Sequence, residues 1–160
     1  LLLEPETDLE IVAMANDGAT AINLIESLQP DIVLLDLEMP VIDGFEAIRI
    51  IVKRFPACKI LVLSSHDEDN HVNQALQAGA KGYLLKSTLA VELISAIRSA
   101  NSSYFQLSPG LFEKFAQGNG KLNLNSETTA QESSEQSSSK PKTTSSASNQ
   151  NNKLFLIKLF

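Results

Sequence analysis

Four short apolar runs constrain this chain more than any other feature: "LEIVAM" (9–14), "DIVLL" (31–35), "KILVL" (59–63) and "GYLLK" (82–86). Each is the length of a buried strand, and each is followed by a stretch with helical spacing. Ala19, Ile22, Ile25 and Leu28 form the first helical stripe, with Asp17 placed to cap it and Pro30 to close it. Phe45, Ile48, Ile51 and Val52 form the second, from a cap at Asp43 to about Arg54. Val72, Ala75 and Leu76 form the third, over 67–78, with Gly79 as its stop. Leu89, Leu93, Ile94 and Ile97 form the last, over 89–100. Strands alternating with helices of this length imply right-handed crossovers and a parallel sheet covered on both faces.

In such a sheet the ligand site lies at the carboxyl ends of the strands. Those ends carry Asp36, then Ser64-Ser65, then Lys86. A carboxylate there can attack phosphorus and form an aspartyl phosphate. An amine supplies positive charge to the product, and a hydroxyl can donate to a phosphoryl oxygen. Taken singly, Asp36 reads as a loop cap, Ser64 as a turn residue and Lys86 as a solvated charge. Their placement at three successive strand ends favours the chemical reading.

The rest of the composition bounds the alternatives. A net charge of −6 argues against nucleic acid as the main partner. The single Cys58 cannot close an internal disulfide, which fits a cytoplasmic chain. No apolar run is long enough to span a membrane. His66 and His71 are read as exposed loop and helix residues, a weak metal signal without clustered acids or cysteines. Asp67, Glu68 and Asp69 suit a helix start and need no ligand.

"VLLDLEMPVIDG", "ILVLSS", "ALQAGAKGYLLK" and "ELISAIR" resemble the receiver domain of two-component response regulators, in the subgroup usually joined to a helix-turn-helix output. The likeness covers about residues 1–101. It implies a flavodoxin-like, three-layer α/β fold around a parallel sheet. It implies that Asp36 is the phosphoacceptor, Ser64 the switch hydroxyl, Tyr83 the switch aromatic and Lys86 the phosphoryl contact. Mg²⁺ would be held by Asp36 and the backbone carbonyl of Glu38, and Pro40, Asp43 and Gly44 would shape the following loop. A histidine kinase or phosphotransfer protein would be the donor, and the 67–100 face a partner or homodimer surface. The chain would be no enzyme beyond its own phosphorylation and dephosphorylation.

The resemblance also implies a central strand ending in an acidic pair of Mg²⁺ ligands, and none precedes Leu1 in this sequence. The chain is therefore expected to be truncated, without the first strand and most of the first helix, and weak in Mg²⁺-dependent phosphorylation. Two other readings stand beside phosphotransfer: a phosphorylation-independent interaction module, and a hydrolase using the same aspartate, for which no second acid follows Asp36 in the expected pattern. Residues 102–116 read as a short helical extension packed on the last helix, or as a dimer contact. No helix-turn-helix pattern follows Phe112, so no DNA-binding domain is expected here. Residues 117–152 are Ser-, Asn- and Gln-rich and are expected to be disordered. The closing "KLFLIKLF" (153–160) has two readings. The first is an apolar, aggregation-prone tail of unknown role. The second is a strand filling the empty central lane, since a linker of about 36 residues spans roughly 30–36 Å.

Overall fold

The computed structural model describes residues 7–39, 42–118, 120–121 and 154–160. The expectations for Leu1–Leu3, for Pro40 and for most of 117–152 lie outside the described residues. The first four strand–helix pairs follow the apolar runs: β1 (Leu9–Ala15), α1 (Gly18–Leu28), β2 (Ile32–Asp36), α2 (Gly44–Arg54), β3 (Lys59–Ser64), α3 (Asp69–Gln77), β4 (Gly82–Leu85) and α4 (Ala90–Asn101). A two-residue β5 (Gln106–Leu107), α5 (Pro109–Ala116) and β6 (Leu154–Leu159) follow among the described residues.

Local chemistry sets the element ends. Asp17 caps α1, its carboxylate accepting from Thr20 N–H at 2.8 Å. Gly79, at φ +109°, takes the left-handed backbone that ends the α3 region. Asp43 corrects the sequence expectation: it occupies the N-cap of α2, but its side chain makes no capping bond there. Only its carbonyl takes part, accepting from Ala47 N–H at 2.9 Å.

The sheet runs β1-β6-β2-β3-β4-β5. β2, β3, β4 and β5 pair in parallel, as the crossovers require. β6 corrects the all-parallel expectation. It lies antiparallel to both neighbours, with Ala15 opposite Leu154 and Leu34 opposite Phe155. "KLFLIKLF" is thus no free tail: its residues 154–159 fill the lane between β1 and β2, the second of its two readings. Leu154, Leu156 and Ile157 are fully buried. At the far end Leu159 N–H donates to the Asp31 carboxylate at 2.9 Å, and Asp31 N–H donates to the Ile157 carbonyl at 3.0 Å.

Two apolar layers flank this flavodoxin-like sheet. Alternation along β2 divides them, with Val33 and Leu35 in the layer under α1, α2 and α3, and Ile32 and Leu34 in the layer under α4. Leu111 of α5 is buried in the first layer, the cluster that also holds Val72, Ala75 and Tyr83. The extension meets the last helix, α4, through β5, while Leu111 of α5 goes to the other layer. The helix is also shorter than the 104–115 segment suggested, because Gln106–Leu107 pairs with β4 instead.

Candidate functional site

β2 is buried along its whole length, including Asp36 at its tip, which is 6% exposed. A carboxylate that deep must be paired. Asp36 Oδ2 meets Lys86 Nζ at 2.7 Å, and Oδ1 accepts from Glu38 N–H at 3.0 Å. Lys86 follows β4, and its own N–H donates to the Ser64 carbonyl at 2.9 Å. Three strand ends therefore converge as the sequence indicated, and β3 hydrogen-bonds directly to the residue carrying the amine.

Lys86 also reaches Glu38 Oε2 at 3.2 Å, so one ammonium bridges two carboxylates. Its hydrogen bond holds the Glu38 carboxyl below its ordinary range. Burial pulls the Lys86 ammonium down, but the hydrogen bonds it donates to Asp36 and then Glu38 outweigh this and leave the group above its usual value. Gly44 lets the loop return close to this strand: a Cβ there would stand 2.8 Å from Leu37 Cα.

Ser64 is fully buried at the tip of β3, and its Oγ accepts from His66 N–H at 3.1 Å. Tyr83 is fully buried on β4 and donates its hydroxyl to the His66 carbonyl at 2.8 Å. Burial pushes that phenol above its usual range. The His66 ring lies 3.1 Å from Glu38 Oε1 and stacks on His71, with ring centroids 5.0 Å apart. Both histidines are therefore half-buried and partnered, not the free surface residues the sequence suggested. His66 is the site residue that sequence reasoning missed; its one signal was its place two residues after Ser64. An open cleft of about 360 Å³ lies beside the site, lined by Ser64, Ser65, Asp67, Leu85, Lys86 and Ser87.

The arrangement presents a carboxylate, a fixed cation and a hydroxyl at one open sheet end. Receiver domains generally use Mg²⁺ at such an acidic pocket. The residues described here do not fit that ion by themselves. Asp36 and Glu38 are both engaged by Lys86, and no group of three or more His, Cys, Asp or Glu among the described residues is placed to hold a metal. Also among the described residues, no helix is long and apolar enough to cross a membrane.

The family model described as "Response regulator receiver domain" matches residues 1–98. The chain is 45% identical over 98 residues to the transcriptional regulatory protein DegU of Brevibacillus brevis, covering 61% of this chain and 41% of that protein. It is 40% identical over 99 residues to the transcriptional regulatory protein LiaR of Bacillus subtilis, covering 62% and 47%. The chain spans about half the length of the curated relatives it matches. A crystal structure of a LuxR-family two-component response regulator from Aurantimonas sp. superposes with a TM-score of 0.61 at 33% identity, over 66% of this chain and 75% of that one.

Proposed function

The chain belongs to the response regulator receiver domain family, and from that premise we propose that Asp36 is a phosphoacceptor serving a histidine kinase or phosphotransfer protein. A carboxylate oxygen of Asp36 attacks the donor's phosphorus. The donor's P–N bond breaks, its electron pair returns to the histidine nitrogen, and an acyl phosphate forms on Asp36. Lys86 changes from partner of the free carboxylate to partner of the phosphoryl oxygens, and Ser64 donates to one of them. The observation that carries this reading is the 2.7 Å pair between a buried strand-tip carboxylate and the lysine ending β4. The chain would turn over nothing beyond its own phosphorylation and dephosphorylation.

Phosphoryl uptake is expected to be weak and insensitive to Mg²⁺, because Lys86 already engages both Asp36 and Glu38. Intact mass after incubation with acetyl phosphate, with and without Mg²⁺, tests this. One added phosphoryl group, lost in Asp36→Asn, supports the reading; no adduct under either condition overturns it.

The same bridging favours one second reading, an interaction module that works without phosphate. Partner binding that survives Asp36→Asn would select it. The 67–100 face remains the proposed surface for a partner or a second copy. Regulation of transcription, suggested by the relatives' names, is proposed for an assembly longer than the residues described here.

A further inference from the structure

We propose that α5 is a latch on the site: it grips the loop between Ser64 and α3, and it lets go when that loop rearranges around a modified Asp36. The trigger rests on the phosphoacceptor reading; the grip does not.

The loop 64–69 has two ends with different partners. Its front end belongs to the site. His66 N–H donates to Ser64 Oγ, the His66 carbonyl accepts from Tyr83, and the His66 ring meets Glu38. Its back end belongs to the α5 segment. Lys114 Nζ donates to the Asp67 carbonyl at 2.7 Å and pairs with Asp69 Oδ1 at 2.8 Å. Just past α5, Lys121 N–H donates to Asp69 Oδ2 at 3.1 Å, and the Lys121 carbonyl accepts from Asn73 of α3. Leu111 anchors the helix in the apolar layer that also holds Tyr83.

Four residues, 65–68, thus separate Ser64 from Asp69, and a shift at one end is passed along a short loop to the other. Turning Ser64 Oγ toward a phosphoryl group on Asp36 would move it away from the His66 amide that now donates to it. Moving His66 carries Asp67 and Asp69 with it, and both are held by Lys114. Modification of Asp36 and undocking of α5 are therefore linked, and linkage is reciprocal. The grip is suited to opening, because an ion pair about one-third exposed at each partner is weak. α5 also sits against the start of α3, part of the 67–100 face, so a docked latch competes with any partner for that surface.

The test uses the full chain, read by amide hydrogen exchange with intact mass in parallel. In the unmodified chain, Lys114→Ala should speed exchange at least tenfold across 109–116 and also at His66, and Lys114→Arg should restore much of the protection. Acetyl phosphate should speed exchange across 109–116 by a similar factor in every molecule that gains a phosphoryl group. Modified chains that keep α5 fully protected would overturn the latch. If no adduct forms, the phosphoacceptor reading fails and the Lys114→Ala comparison decides the latch alone: faster exchange at His66 sustains the coupling, and an unchanged His66 amide ends it.

Discussion

Lys86 holds two negative side chains at once, so its removal leaves more than a lost contact. In Lys86→Met the buried Asp36 keeps only the Glu38 amide among its partners described above. Removing one partner of a buried ion pair leaves an uncompensated charge and costs about 3–5 kcal/mol. Urea unfolding at pH 7 should show a loss of that order, and Asp36→Asn added to Lys86→Met should recover part of it. Glu38 makes a pH prediction. Its carboxyl is held below the ordinary value of 4.5 in the folded chain, first by Lys86. A depressed carboxyl stabilises the fold above the unfolded value and stops doing so as pH falls through the folded one. Melting temperature should therefore fall below about pH 4.5, and less steeply in Glu38→Gln. Asp36, Ser64 and Lys86 were legible because strand ends are legible: an apolar run stops and a chemical residue follows. His66 was not. Its ring returns to Glu38, 28 positions earlier, and nothing in local composition records such a contact.

β6 is the element on which the sheet depends. β1 reaches β2 only through it, with six Cα partners on one side and three on the other. Truncating a fully buried leucine costs about 2–5 kcal/mol, against a total stability of roughly 5–15 kcal/mol for a typical domain. Leu156→Ala should lower the urea midpoint sharply, whereas Phe160→Ala, at an 80% exposed residue, should leave it unchanged. The first four strand–helix pairs could be read from periodicity alone, because alternation and helical stripes are local patterns. The lane of β6 could only be posed as a question, since an apolar octet carries no address. Its direction was unreadable for the same reason: strand polarity is set by where the chain can enter, and here it enters beside Ala15. α5 shows a further limit. Its apolar residues announced a helix, but neither the layer that receives Leu111 nor the pair of Lys114 with Asp69, 45 positions earlier, is recorded in any local pattern.

At the scale of the molecule, the pairing of β1 with β6 joins Leu9 to Leu159. Residues 122–153 join Lys121 to Leu154, and the entropy of closing such a connection grows slowly with its length. Deleting residues 126–141 halves the connection, which should gain about 0.6 kcal/mol without altering the sheet. Refolding should also accelerate, since non-local pairing limits the rate. Denaturant chevrons of the two chains would show both effects.

The order of synthesis gives the antiparallel strand another meaning. β6 is the last described element to leave the ribosome, about 140 residues after the Ala15 it faces. At roughly 5–20 residues per second that is a delay of about 7–28 s. Once β2 is made, β1 and β2 still lack the strand that joins them here, and every described helix precedes that strand in synthesis. A chaperone that recognises exposed strand edges would have its whole opportunity within those seconds.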